Sequence, residues 1–473
     1  MENSLTNISD LNALLLELTG KVDLLQKRSS FQEQENHQLR WKNHQQDLRI
    51  RELEEELSKY KKPKKNSANS HIPPSQEPIA TKELRRTQSL RVPSGLKPGG
   101  QSGHCGHHLV LPEHIDREEI HSPDCCPGCG KSLSGFAEEL VEERYQIDLP
   151  EIRAEVIRHK IMARRCSCGC LARGSAPASV QGYLSYGPRI CATVGYLNTI
   201  QDLPYKRNVE LMKELFRVPM SEGVVYNILQ RLQGACRKTY ESIRDRLIAS
   251  SVVGADETGM HISGALQWFW TFQTKNLTYI YSHTSRGKEA IDTHFPEGLP
   301  SSWLITDRHA SYFNLYVKGH QICLAHLLRE LTWLNEMAPH QKWSGKMKTL
   351  LQEAIHKRKT LPWKKIDGEK LMRRFNDLLS EKVDHLHEDI QRLQTSLIRH
   401  REHVLNFLFQ DFLPSDNNAS ERSIRPIKVK QKVSGCFRTD KGATAFAVLH
   451  SVTDTARKNN RSPWMELCKI ASL

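Results

Sequence analysis

The chain opens on a helical pattern. Ile8, Leu11, Leu15, Leu18, Val22 and Leu25 recur at three- and four-residue steps, and Leu53, Leu57 and Tyr60 resume the pattern beyond a stretch of glutamines and asparagines. This predicts helix over residues 8–60, within an N-terminal segment 1–62 that self-associates as a coiled coil. A single amphipathic helix folded on its own protein is the alternative. Over 61–103 apolar residues are too sparse to offset the entropy of ordering, and Pro, Ser, Asn, Gly, Lys and Arg dominate. Residues 63–103 therefore read as a flexible basic linker, either tracking DNA phosphates or merely solvated.

Apolar periodicity returns after a cysteine-bearing stretch, 104–180. Residues 205–216 are periodic, Val218-Pro219-Met220 breaks the run, and Ser221 is placed to cap a second helix reaching Arg231. The spacing within this region, 181–250, resembles a helix-turn-helix, although such hairpins also serve as plain packing units. Strand-like runs follow. Val252-Val253 leads into Asp256, two more runs cover 266–274 and 277–282, a helical stretch covers 285–294, and Trp303-Leu304-Ile305 ends at Asp307. Glu421 lies in a helical segment after a polar Asp416-Asn417-Asn418 start. The order of three strands, helix, strand and late helix resembles a ribonuclease-H-like α/β fold, assigned to 251–334 and 411–473. The chain between Asp307 and Glu421 is more than twice that between Asp256 and Asp307, so 335–410, with Lys, Glu, His and Leu at helical spacing, reads as a helical insertion. The fold class is thus multidomain α+β.

Composition narrows the partners. With 68 Lys and Arg against 54 Asp and Glu, the formal charge of +14 favours a polyanion. No run of 18 or more apolar residues predicts a membrane span, and the N-terminus lacks the basic patch and apolar core of a secretory signal. The twelve cysteines cluster in Cys-x-x-Cys form, which points to metal binding in a reducing cytoplasm.

Two groups of residues carry candidate chemistry. Cys126-Pro127-Gly128-Cys129-Gly130 is a knuckle, and Cys166-Ser167-Cys168-Gly169-Cys170 is its partner across strand-like sequence at 142–165. Together they read as a zinc ribbon with Cys126, Cys129, Cys166 and Cys168 as ligands of one structural Zn²⁺. Cys170 and Cys125 are alternatives for the fourth position. The second group is Asp256, Asp307 and Glu421. Carboxylates brought this close repel unless cations neutralise them, which implies two divalent metals of the kind that flank a phosphate in an in-line displacement. Arg422, Arg425, Lys428, Lys430 and Lys432 follow, with Glu421, Arg425 and Lys428 on one helix face, as phosphate contacts or as a solvated basic face. Trp268, Phe269 and Trp270 either stack on bases or, for alternate members, pack the sheet.

The words around these residues resemble a known family. Asp416-Asn417-Asn418-Ala419-Ser420-Glu421-Arg422-Ser423-Ile424-Arg425-Pro426 is similar to the final-glutamate signature of transposases of the insertion sequence 66 family, as are Asp256-Glu257-Thr258 and Cys323-Leu324-Ala325-His326. Upstream, Lys65-Asn66-Ser67-Ala68-Asn69-Ser70, Pro73-Pro74-Ser75 and Gly99-Gly100-Gln101-Ser102-Gly103-His104 extend the resemblance over nearly the whole chain. It departs at Cys166-x-Cys168-x-Cys170, where the family carries Cys-x-x-Cys. The resemblance implies a DDE-type DNA transposase of the bacterial cytoplasm and nucleoid. Two Mg²⁺ would be bridged by Asp256 and held singly by Asp307 and Glu421. Its partners would be double-stranded DNA at element ends and target, further copies of the chain and, as an open point, accessory proteins. Cys323 and His326 are left open between metal ligation and packing or DNA contact. The competing readings are a DNA-binding descendant without catalysis and a metal-dependent nuclease.

Overall fold

The computed structural model describes residues 3–60, 65, 66, 69, 103, 111, 113–177, 180 and 182–472. Most of the expected linker therefore lies outside the described residues. The chain forms two compact units: 1–81, 238–431 and 436–438 make one, and 82–237, 432–435 and 439–473 the other.

The first helix, α1 (Asn3–Tyr60), is uninterrupted over 58 residues, a length of about 87 Å at the helical rise. Leu15, Leu18, Val22 and Leu25 are all exposed. Its apolar stripe is thus not folded against its own chain at these positions.

The second unit begins with the cysteine region. Among the described residues there, β1 (Ala163–Arg165) and β2 (Leu171–Arg173) are the strands, paired as a short antiparallel hairpin. The stretch 142–162 carries no regular element, and Val156, Ile157 and Ile161 stay exposed instead of gaining a sheet partner. Three helices follow: α2 (Pro188–Thr199), α3 (Tyr205–Phe216) and α4 (Glu222–Ala235). The left-handed Arg217 ends α3, and the Ser221 hydroxyl accepts the Val224 N–H at 3.3 Å to start α4. Val225, Ile228, Leu229 and Leu232 bury one face of α4 against α2 and the late helices Asp440–Lys458 and Pro463–Ala471. Trp464 Nε1 donates to Thr193 Oγ1 at 3.0 Å. The helices beyond 438, expected with the catalytic sheet, are therefore part of this helical unit. Their small buried residues, Ala443, Ala445, Ala447 and Ala456, suit close helix packing.

In the first unit α5 (Arg237–Ile248) precedes a five-stranded mixed sheet. Its strands are β3 (Val252–Ile262), β4 (Ala265–Gln273), β5 (Thr278–His283), β6 (Leu299–Thr306) and β7 (Val317–Ile322), in the order β5-β4-β3-β6-β7. The first three form an antiparallel meander, whereas β6 runs parallel to β3 and β7 parallel to β6. Ser263 and Gly264, with φ of 52° and 84°, supply the positive φ pair of a two-residue hairpin turn. Short helices α6 (Lys288–Asp292) and α7 (Ala310–Phe313) flank β6. Adjacent Phe269 and Trp270 are both buried, so both sheet faces are covered at β4: Phe269 meets Phe437, and Trp270 meets Tyr312 edge-on.

Beyond β7 come α8 (Leu324–Met337), α9 (Trp343–Thr360), α10 (Gly368–Ser380) and α11 (Glu388–Arg399). Their apolar faces share one core with Ile305 and Ile322 of the sheet. The helical insertion is therefore built into the unit that carries the sheet. Finally α12 (Asn418–Ser434) returns to β3. Among the described residues no helix is long and apolar enough to cross a membrane.

Candidate functional site

Alternation along β3 decides which side chains face α12. Gly254 and Asp256 share one face, Ala255 and Glu257 the other. A Cβ on Gly254 would come within 2.5 Å of Ser420 Oγ and 2.6 Å of Asn417 Oδ1, so only glycine admits the start of α12 here. Asn417, 3% exposed, fixes that start. Its side-chain amide donates to the Ala255 carbonyl at 2.7 Å, its backbone N–H donates to Cys323 Sγ at 3.2 Å, and its carbonyl accepts the Glu421 N–H at 3.2 Å. Ser420 Oγ donates to Asn417 Oδ1 at 2.5 Å and accepts from Gln273 Nε2 at 3.2 Å. Glu421, one turn on, is thereby delivered beside β3.

Asp256, Asp307 and Glu421 meet in one neighbourhood. Burial holds the Asp256 carboxyl well above the usual carboxylate range, reinforced by Glu257, Asp307 and Glu421, with Lys428 opposing. Burial likewise raises Asp307, followed by the charge of Glu257; the His309 N–H, donating to Asp307 Oδ1 at 2.9 Å, works the other way. Asp256 Oδ1 accepts the Glu257 N–H at 3.0 Å. Glu421 is turned to two basic side chains of α8: Arg329 lies 3.3 Å and His326 3.4 Å from its Oε1. Among the described residues no three His, Cys, Asp or Glu side chains converge closely enough to hold a metal. The donor chemistry nonetheless fits hard divalent cations, because the Asp256 and Asp307 carboxyls, held above their usual range, gain most from added positive charge.

Of the expected DNA-contacting cations, Arg422, Arg425 and Lys432 are exposed along α12. Lys428 is half-buried and acts electrostatically on Asp256. Lys430 is buried, which removes it from any solvated basic face. Arg308, next to Asp307, pairs with Glu330 and donates to Ser396 Oγ of α11 at 3.0 Å, tying the insertion to the end of β6.

Several site residues lie outside what the sequence reading picked. Glu257, its side chain 1% exposed, accepts from Arg286 at 2.7 Å and from the Tyr312 hydroxyl. Arg286 in turn lies 4.6 Å from the Trp268 ring centroid, a cation–π contact. Trp268 is therefore engaged by arginine, and burial keeps the Tyr312 phenol protonated. The Cys323-x-x-His326 element also takes definite roles. Cys323 is a buried thiol, pushed up to about 11 by desolvation, that accepts a backbone N–H, while His326 faces Glu421. Polar starts such as Asp416-Asn417-Asn418 announce a helix cap, but nothing local says that Asn417 will bond to β3.

In the other unit the cysteines form two pairs. Cys126 lies in a turn closed by Cys126 N–H to Lys131 carbonyl and Gly130 N–H to Cys126 carbonyl, each 2.8 Å. The N–H groups of Gly128 and Cys129 lower its thiol. Cys166 and Cys170 close the β1–β2 hairpin at 2.8 Å, and Cys166 is lowered by the N–H and thiol of Cys168. Peptide N–H groups aimed at sulfur favour thiolate, the form zinc binds. Each pair suits half of a tetrahedral site; all four are not gathered into one group among the described residues.

Taken together, a mixed α+β unit presents an acidic centre supplied by two neighbouring strands and a returning helix. Residues 184–445 match the family model described as Transposase IS66 family. That is more than half of the chain, and the chain belongs to the IS66 transposase family. No curated protein matches it. Among solved structures it is similar to a chain of the simian T-cell lymphotropic virus intasome in complex with PP2A regulatory subunit B56 gamma. The identity is 14%, over 29% of this chain and 49% of that one, with a TM-score of 0.14. The match thus spans about half the length of that chain.

Proposed function

We propose that the protein is a DDE-type DNA transposase in which Asp256, Asp307 and Glu421 hold two Mg²⁺ ions. The observation that carries this reading is the crowding of Asp256 by Glu257, Asp307 and Glu421, with Lys428 as the opposing charge. The order β5-β4-β3-β6-β7, with an antiparallel meander and two parallel strands, supports a ribonuclease-H-like catalytic unit. The reaction has two stages. In the first, a water oxygen bonds to phosphorus at an element end while the bond from phosphorus to the 3′ oxygen breaks, and the leaving oxygen takes a proton. In the second, that 3′ hydroxyl bonds to a target phosphorus, an existing phosphodiester bond breaks, and the number of such bonds is conserved.

Bound Mg²⁺ would polarise the phosphate and lower the pKa of the attacking water or hydroxyl. The chain's own residues position the rest. Asn417 and Ser420 set the register of Glu421 against β3, and Arg329 with His326 engages the Glu421 carboxylate, which would be one of the groups holding the metal. Arg422, Arg425 and Lys432 supply exposed charge for phosphates, and Lys428 offsets the acidic centre from within. In the other unit Cys126, Cys129, Cys166 and Cys168 would hold one structural zinc, joining the two knuckles. The stripe of α1 would pair copies of the chain as a coiled coil.

A labelled duplex carrying an element end tests this. Wild-type protein should cleave it with Mg²⁺. Asp256→Asn, Asp307→Asn and Glu421→Gln should each lose more than about a hundredfold in rate while retaining gel-shift binding, because phosphate contacts supply most ground-state affinity. A wild type that binds the end but fails to cleave it whichever divalent ion is supplied would favour the non-catalytic DNA-binding descendant, a reading favoured by the engagement of Glu421 by Arg329.

A further inference from the structure

Three described residues of the expected linker are anchored. Asn66 N–H donates to Asn69 Oδ1 at 2.7 Å, and Asn69 N–H donates to Asn66 Oδ1 at 3.2 Å. This reciprocal clasp uses the capacity of asparagine side chains to mimic a backbone turn. Asn69 is 1% exposed and donates its side-chain amide to Glu336 Oε2 at 2.6 Å. The Lys65 ammonium lies 5.4 Å from the Trp333 ring centroid, within cation–π range. Trp333 and Glu336 continue a stripe of α8 that starts at His326 and Arg329, by steps of three, four and three residues, opposite the buried Leu327, Leu331 and Leu334. The first two members of the stripe face Glu421 and the last two hold the linker.

We propose that this outer stripe of α8 is a docking site for Lys65, Asn66 and Asn69 of the same chain, and that these docked residues fix the exit of α1 to the helix that engages Glu421. The contacts alone carry this, independently of the catalytic reading. Only residues 61–64 separate α1 from Lys65, a reach of about 18 Å at full extension. The end of α1 at Tyr60 is therefore within that reach of the docked Lys65.

Hydrogen exchange on the full-length protein, without DNA, reads the docking directly. The amides of Asn66 and Asn69 should be protected in wild type. Glu336→Ala and, independently, Asn69→Ala should each speed their exchange by about tenfold or more, with β3 amides unchanged as the control for folding. Glu336→Gln, which keeps a carbonyl acceptor, should retain most of the protection. Exchange at these amides that is equal in wild type and both alanine variants would overturn the docking. So would protection that appears only with added duplex, which makes the segment a DNA contact. Protection that falls on dilution would assign the groove to a second copy and overturn docking within one chain.

Discussion

The side-chain amide of Asn417 donates to the Ala255 carbonyl at 2.7 Å, joining residues 162 positions apart. This one bond sets where α12 meets β3, and therefore where Glu421 stands relative to Asp256. Asn417→Ala leaves the Ala255 carbonyl without this donor in a buried place, a cost of about 1–3 kcal/mol. Thermal melts should fall by roughly 2–4 °C for each kcal/mol, and DNA cleavage should drop further than DNA binding. Gly254→Ala, which presses a Cβ onto Ser420 and Asn417, should do the same. Wild-type cleavage in both variants would remove this contact from the positioning of Glu421.

Asp256 gives the metal-free protein a signed pH dependence. Burial and its acidic neighbours raise its folded-state pKa above the ordinary value. The folded protein therefore binds this proton more tightly than the unfolded chain. The favourable contribution is present at low pH and is lost as pH rises through the window between the two pKa values. Asp256→Asn should flatten that slope and melt higher than wild type near neutral pH in chelator. Added Mg²⁺ should narrow the gap by stabilising wild type alone. Parallel melts across this range, with and without Mg²⁺, check both; a variant that melts lower in chelator contradicts the assignment.

His320 works in the opposite sense. Desolvation, with His403 and His400 nearby, lowers it to about 4 from 6.5. Its ring lies 5.0 Å from Phe313 and 5.2 Å from His403. A histidine buried neutral contributes stability that is complete above its unfolded value and is lost as pH falls towards about 4. His320→Phe should reduce the acid-induced loss of tryptophan fluorescence signal across that interval. An unchanged acid transition would place the sensitivity elsewhere.

Metal analysis of freshly purified, reduced protein should find about one zinc per chain, since four thiolates saturate one tetrahedral ion. Cys126→Ser and Cys166→Ser should each release it and increase protease cutting within 104–180. Zinc-free wild type would leave the knuckles as bare turns.

Deleting residues 1–60 should lower the mass measured by light scattering. Replacing the exposed Leu18 and Leu25 by Asp in the full chain should do likewise, because charges in an a/d-type seam oppose pairing. An unaltered mass in both proteins would show that assembly does not use α1.

What the sequence by itself determined is local. The helix Tyr205–Phe216 and the Ser221 cap follow from periodicity and a break at Val218-Pro219-Met220, features contained within a few turns of chain. The strands around Asp256 and Asp307 follow from apolar runs in the same way. The strand Val317–Ile322 was not legible, because its burial comes from distant partners. Gln321 spends its side-chain amide on the Val404 carbonyl and accepts the Phe407 N–H, so a polar residue occupies a core position. Only the tertiary structure decided the rest. It matched Glu257 with Arg286 and Tyr312, turned Glu421 to Arg329 and His326, joined the insertion's core to the sheet, and moved the helices after 438 into the helical unit. Periodicity reports which face of an element is buried; it carries no information on which distant element covers that face, and buried polar groups are satisfied by whatever that element brings.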